Sequence, residues 1–490
     1  MKKKAGYVNL MWMMIVTLFT QILVLIKSSV VAGKFGATNA MDAYNFANSI
    51  ATFLFGFVSA GISTIVIPEY ANKRDKKSVD TFITLIYGAI FFVTVLMIIF
   101  RQRIIGAFSN RDTMFVQDVA KILIYLLLFQ YFGGITNVTI AYFQCEDKYN
   151  IPRIINLISQ LAVVATLICI KKMTIMEYTI IICLGILLSF LCDTGWAIKC
   201  GWRYKPTCIF NEETRILINR FIPVVVSTGT YNLSLMIDSV ISASLEEGKI
   251  TVLSYSSQIS SMINTIIVGN LLIYIYPKIT KNIKRDGSQS VFWDQTGLFH
   301  AIVCLMIAGF IAVGRDAVFF LFYRDAFSFE ACRMVFEGTI IYVFGQQINV
   351  IRNMLYRYFY ALGDTKTPAT NSIMVSIFNI TISIILVRVI GFYGVIIGTV
   401  VASLLSLTII MVRFGKKVGY SEKILSIMKK YIINIIIMSI TVAVVGVTKS
   451  IVFIENDLIR ILVFGLETVI VYILLQLLCN RNIVSVLKTL

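Results

Sequence analysis

The chain has 490 residues, 58% of them hydrophobic and 14% charged, with a mean hydropathy of +0.83 and a formal net charge of +18. A soluble chain of this length would hold about two to four domains, but this composition marks a polytopic membrane protein. One histidine, His300, and no G-x-x-x-x-G-K-[S/T] stretch exclude an ATP-binding module and a histidine-based metal site, so any energy source is an ion gradient or the substrate itself.

Stretches free of Asp, Glu, Lys and Arg cover 5–26, 43–68, 81–100, 122–145, 250–277, 367–387 and 389–412. Most match the roughly 20 apolar residues that a helix needs to cross the hydrocarbon of a bilayer. The basic start at Lys2 to Lys4 resembles a signal peptide, but the apolar run after it is too long and lacks a small-residue cleavage site, so it reads as a retained first span. Fourteen spans are predicted, starting near residues 8, 42, 80, 118, 152, 175, 216, 250, 296, 334, 367, 389, 430 and 458. The longest soluble pieces, around 198–215, 277–295 and 413–430, are too short to bury a core of their own, so no extramembrane domain is available for catalysis. The nine cysteines lie mostly in spans or inner loops and imply no disulfide framework.

Lys and Arg set the orientation. With the N-terminus inside, basic residues favour the cytoplasmic side by roughly two to one, which requires an even number of spans and both termini in the cytoplasm. Most of the positive charge is thereby a topology signal.

Two echoes point to an internal duplication. Ser29-Val-Val-Ala-Gly and a span ending in Ile67-Pro68-Glu-Tyr-Ala-Asn-Lys-Arg-Asp return as Ser239-Val-Ile-Ser-Ala and a span ending in Tyr276-Pro277-Lys-Ile-Thr-Lys-Asn-Ile-Lys-Arg-Asp. Phe143-Gln-Cys-Glu-Asp-Lys-Tyr-Asn-Ile-Pro152 returns as Phe359-Tyr-Ala-Leu-Gly-Asp-Thr-Lys-Thr-Pro368. The expected fold is therefore all-α: an N-lobe of spans 1–6 (residues 1–212), a C-lobe of spans 7–12 (213–415) related to it by pseudo-twofold symmetry, and spans 13 and 14 appended (416–490). Two such lobes around a central cavity suit alternating access.

Polar residues at helical spacing mark several faces that must turn from lipid toward other helices or water. Span 2 carries Asp42, Asn45, Ser49 and Thr52; span 7 Ser227, Tyr231, Ser234 and Asp238; span 8 Ser254, Gln258, Ser261 and Thr265. Span 10 adds Gln346, Asn349 and Arg352, and span 1 adds Thr17, Gln21, Lys27 and Ser28. Ionisable groups inside a membrane are costly and are functional candidates, which singles out Lys27, Arg220, Arg352 and Arg357. A cavity lined by such cations suits a phosphate-bearing substrate. Among the acids, Asp193, Asp238, Glu337 and Glu467 are placed where a coupling ion or proton is often held.

The segments Ala32-Gly-Lys-Phe-Gly-Ala-Thr-Asn-Ala-Met-Asp42-Ala-Tyr-Asn, Ile67-Pro68, Tyr231-Asn-Leu-Ser-Leu-Met-Ile-Asp238, Gly248-Lys-Ile-Thr-Val-Leu-Ser-Tyr-Ser-Ser-Gln258 and Arg357-Tyr-Phe-Tyr-Ala-Leu-Gly-Asp-Thr-Lys-Thr-Pro368 resemble the MurJ/MviN flippases of the multidrug/oligosaccharidyl-lipid/polysaccharide exporter superfamily. The resemblance runs nearly end to end. It implies a transporter and not an enzyme, moving an undecaprenyl-pyrophosphate-linked saccharide such as lipid II to the outer leaflet of a bacterial cytoplasmic membrane, with spans 13 and 14 forming a groove for the lipid tail. Lys27 stands where the family has a cavity arginine, and Asp42 matches the family's acid at the start of span 2. Gln21 and Gln258 replace two further cavity arginines, and Phe53-Leu-Phe-Gly-Phe replaces the basic residues midway along span 2. A sodium site in some members maps onto Asp238, Asn379, Ser383, Val395 and Thr399, with Ser383 in place of a carboxylate.

The expected partners are thus the lipid-linked saccharide and membrane lipids, with no nucleic acid, no cofactor beyond a coupling sodium ion or proton, and a monomer sufficient to form the path. The alternative within the superfamily is a cation-coupled multidrug exporter, which the excess of basic over acidic residues in the spans disfavours. A polysaccharide polymerase would show a large external loop or clustered catalytic acids, and neither is visible.

Overall fold

A computed structural model describes residues 2–71, 76–109, 111–265, 289–418 and 423–479. Among these residues fourteen α-helices follow in order: α1 Lys2–Phe35, α2 Asn39–Ala71, α3 Lys76–Phe108, α4 Thr113–Cys145, α5 Asn150–Cys169, α6 Ile175–Lys199, α7 Glu212–Ala243 and α8 Lys249–Ile263. They continue as α9 Gln289–Phe322, α10 Phe329–Ala361, α11 Lys366–Ile390, α12 Tyr393–Val418, α13 Lys423–Ile451 and α14 Asp457–Cys479. Each begins within a few residues of a predicted span. Ten, by length and composition, can cross a membrane, and the protein is an all-helical, multi-pass membrane protein. The repeat echo at 276–286, the basic residues at 73, 74, 278–285, 481 and 488, and the side chains of Pro68, Ser227 and Tyr231 lie outside the described residues.

Local chemistry sets the helix starts. Asp112, Asn211 and Ser328 each accept a hydrogen bond from the backbone N–H three residues on, and Thr174 forms a reciprocal capping box with Glu177. These side chains satisfy N–H groups that the first turn of a helix leaves without partners.

The chain forms two compact units, Met1–Thr251 and Val252–Leu490. In the first, α2 packs on α4 and α7, α3 on α4 and α7, α6 on α4 and α5, and α1 on α5. Phe46, Phe82, Leu126, Phe143, Leu217 and Phe221 belong to its buried core. The first unit therefore includes α7, which the duplication counts as the first helix of the second repeat; a repeat records descent, whereas a compact unit records packing. The connection from α6 to α7 is strapped to α3: Asp80 accepts from Lys205 N (3.3 Å), Thr84 from Thr207 N (3.4 Å) and Thr81 from Ile209 N (3.3 Å). An extended segment presents alternate N–H groups to one side, and the polar start of α3 receives them.

In the second unit α9 packs on α10, α13 and α14, and α12 packs on α10 and α11. Asp294 and Asp316, near opposite ends of α9, pair with Lys430 (2.7 Å) and Lys449 (2.5 Å) of α13. Between them Asn434 meets His300 Nδ1 (3.3 Å) and accepts from Gln476 of α14 (3.1 Å), while the Tyr472 hydroxyl donates to Ala301 O (2.7 Å). The two appended helices are thus fastened to α9 along its length.

The clearest echo in the sequence has a geometric counterpart. Lys148 N donates to Phe143 O (2.8 Å) across Asp147, at φ 57°, and Asp364 N donates to Phe359 O (2.9 Å) across Gly363, at φ 79°. Both are the six-to-one closure of a helix by a left-handed residue, and in both the phenylalanine is fully buried. Pro152 and Pro368 are each the third residue of the next helix, where no intrahelical N–H bond is lost. The conserved spacing of Phe and Pro is therefore the length of one particular helical hairpin turn, used once in each unit.

Asp364 fixes the second of these turns by accepting from Thr367 N (2.9 Å), from the Thr367 hydroxyl (2.8 Å) and from Lys417. Burial works against its charged form, but Lys417 and Thr367 outweigh it and hold the carboxyl below its ordinary range. A depressed folded value means that the stabilisation is fully present above about pH 4, the unfolded value, and is lost as pH falls through the folded value. Asp364→Asn should cost roughly 1 kcal/mol at pH 7, since Lys417 is partly solvent-screened. Melting curves of the two proteins should converge below about pH 4; a gap undiminished at pH 3 would show that the carboxylate's charge does not matter.

Candidate functional site

Asp42, on the first turn of α2, is completely buried. One of its oxygens accepts from Thr251 N (2.9 Å) and the Thr251 hydroxyl (2.7 Å); the other accepts from Gly248 N (2.8 Å) and pairs with Arg111 (3.0 Å). Asn45, one turn on, donates to the same Thr251 hydroxyl (3.3 Å). Asp42 thereby caps the N-terminus of α8 from another helix, at the end where the helix dipole favours an anion. Two of the segments that carry the family resemblance, around Asp42 and around Gly248, are bound to each other. Gly248 is required twice: its φ is 83°, and a Cβ there would lie 2.7 Å from Ala37 O.

Lys27 of α1 borders a cavity of about 180 Å³ inside the first unit, with Thr136 of α4, Asn156, Ser159 and Gln160 of α5, and Ser189 of α6. Buried Ser159 Oγ and Gln160 Oε1 have no hydrogen-bond partner. Among the described residues no carboxylate pairs with Lys27. Gln21 is half-buried on α1, and Arg220 is exposed on α7. Asp238 is buried on α7. Asp193, on the α6 face that carries Ser189, accepts from that serine (3.3 Å) and is otherwise buried.

In the second unit Arg352 is half-buried on α10, its guanidinium 6.0 Å from the Tyr356 ring centre and its Nε unpartnered. Arg357 and Gln258 are also half-buried. Gln346, on the predicted polar face of α10, donates to Ser260 of α8 (3.0 Å), a residue outside the polar face predicted for that helix. On α11 and α12 the expected ion ligands cluster: Ser383 Oγ lies 3.3 Å from Asn379 Oδ1 and 3.4 Å from Val395 O, and Thr399 donates to Val395 O (3.1 Å). Gly398 makes this possible, since a Cβ there would lie 2.9 Å from the Ser383 backbone. These are neutral oxygens, a donor set that fits a hard monovalent cation. Among the described residues no group of three or more His, Cys, Asp or Glu could hold a metal.

Sequence reasoning missed Arg111, which it counted only as an outer basic residue, and Thr251. The signal for Thr251 lay in the Gly248-Lys-Ile-Thr segment; Arg111 has no comparable signature in the sequence.

The helical arrangement defines a fold class, one shared with solved structures described as MurJ and MATE-type transporters. The chain superposes on lipid II flippase MurJ in its inward closed conformation with a TM-score of 0.80 at 19% identity, covering 96% of this chain and 99% of that one. An inward-facing multidrug resistance MATE family transporter matches with a TM-score of 0.64 at 14% identity, covering 83% and 98%. Within that class, a family profile described as lipid II flippase MurJ matches residues 31–464, and the chain belongs to this family. Relatives include probable lipid II flippases MurJ from Rickettsia prowazekii (strain Madrid E), 24% identical with 79% of each chain covered, and from Thermotoga maritima (strain ATCC 43589 / DSM 3109 / JCM 10099 / NBRC 100826 / MSB8), 23% identical with 84% and 85% covered.

Removing the carboxylate of Asp42 leaves Arg111 uncompensated and two N–H groups of α8 without an acceptor. Asp42→Ala should therefore destabilise the protein by about 3–5 kcal/mol, and Asp42→Asn, which keeps one acceptor oxygen, by less. Thermal unfolding monitored on α8 should show that order; equal melting of Asp42→Ala and the parent would refute the capping role.

Proposed function

We propose that this protein is a flippase for an undecaprenyl-pyrophosphate-linked saccharide, lipid II or a related cell-wall precursor, carried to the outer leaflet of a bacterial cytoplasmic membrane by alternating access. The observation that carries this reading is two partly buried helix-borne cations, Lys27 and Arg352, with no carboxylate paired to either among the described residues. An unpaired cation is expensive among lipid-facing helices, and a pyrophosphate supplies the missing charge: guanidinium binds phosphate through two parallel hydrogen bonds, ammonium as a point charge. The MATE-type alternative shares the fold, but a cationic drug has no use for such groups.

In this reading both termini are cytoplasmic, and a monomer suffices. The oxygens of Asn379, Ser383, Val395 and Thr399 supply neutral ligands for a sodium ion that couples transport to the ion gradient.

Native mass spectrometry of the gently purified protein should reveal a co-purified polyprenyl-pyrophosphate species, whose mass identifies the sugar. Lys27→Ala combined with Arg352→Ala should abolish its binding and flipping while leaving membrane insertion intact. Full flipping by that double variant would overturn the cationic-path assignment.

A further inference from the structure

The α7–α8 turn is held by groups that come mainly from elsewhere in the first unit. Arg111, in the connection between α3 and α4, donates from Nε to Ala243 O (3.0 Å) and from the guanidinium amino groups to Glu246 O (3.0 Å), Leu245 O (3.5 Å) and Asn39 Oδ1 (2.6 Å), besides pairing with Asp42. Its guanidinium also lies 4.9 Å from the Phe115 ring centre. Ala243 ends α7, so the cation sits where the helix leaves carbonyls without intrahelical partners, while Asp42 occupies the N-terminus of α8. Two helix ends of opposite polarity are thus each met by the opposite charge, and those two charges are themselves an ion pair. Asn39 and Phe115 anchor Arg111 on the α2 and α4 side, leaving its bonds to three backbone carbonyls as the separable half of the joint.

We propose that Arg111 is a positioning residue of the transport cycle: through its bonds to the turn's carbonyls and its pairing with Asp42, it holds the α7–α8 turn in place and sets how often that turn releases, without touching the cargo. The proposal rests on the transporter reading above and names a residue which that reading does not use. A turn held through its backbone by one planar cation releases as a unit when that cation lets go, which is the behaviour a gate requires. Lysine in its place keeps the charge opposite Asp42 but cannot span several acceptors at fixed angles.

The probe is a thiol at Ser242→Cys, since Ser242 is completely buried at the end of α7, with native Cys304, equally buried in the second unit, as the internal control. With the other cysteines replaced and the protein in lipid nanodiscs, a soluble maleimide reports how often each thiol becomes accessible. Arg111→Gln should raise the labelling rate at position 242 by about tenfold and leave Cys304 unchanged. It should also lower turnover while the dissociation constant for polyprenyl-pyrophosphate cargo stays within about twofold of the parent value, and Arg111→Lys should recover part of the closure. Because Asp42 also holds Gly248 N and Thr251 N directly, adding Asp42→Asn to Arg111→Gln should raise the rate further. An unchanged rate at position 242, a parallel rise at Cys304, or a loss of cargo affinity matching the loss of turnover would each overturn the proposal. The labelling arms need no cargo, so a wrong cargo assignment would not disturb them.

Discussion

A carboxylate buried among helices that face lipid persists only where the protein supplies its counter-charge and its hydrogen bonds, because the hydrocarbon supplies neither. Asp42 meets that condition with a guanidinium, two backbone N–H groups and a hydroxyl. Meeting it joins the start of α2, the α3–α4 connection and the α7–α8 turn at one point. The packing of α7 within the first unit and the close seat of Gly248 on Ala37 both depend on that point.

Much of this architecture was legible in the sequence because apolar length and turn chemistry are local properties. The helices begin close to where uncharged runs and capping residues place them, and the Phe-to-Pro spacing marks a turn that the structure shows at both sites. The candidate cations were legible for a similar reason, since a charge inside an apolar run stands out. What could not be read were pairings between distant segments. Asp42 was expected among substrate-binding groups from its place on a polar face and from the resemblance, and its partners lie 206 and 209 residues away at Gly248 and Thr251. Arg111 looked like any basic loop residue; only the fold shows that its fork spans five acceptors. Lys27 was found as a buried charge, but the neutral amides and hydroxyls around it come from α4, α5 and α6, helices on which no polar face had been drawn.

The likeness to MATE-type transporters and the membership of the MurJ family separate two levels of information. Helix order and packing are shared with solved MATE-type structures, while the family membership rests on the sequence. Lys27 and Arg352 set this chain apart from what a cationic drug would require, and the glutamines at 21 and 258 and the Phe53-Leu-Phe-Gly-Phe stretch leave it with fewer cations than the resemblance leads one to expect.

The fastening of α13 and α14 to α9 bears on how the protein is made. Lys430 follows Asp294 by 136 residues and Lys449 follows Asp316 by 133, so α9 leaves the ribosome well before its partners exist. At about 5–20 residues per second, that interval lasts roughly 7 to 30 seconds. Throughout it, a helix bearing two acids and a histidine must be shielded from lipid by the insertion machinery or by α10. Biogenesis of the second unit is therefore complete only with the last span, and a chain stopped short of α13 would remain a client of that machinery instead of a folded half.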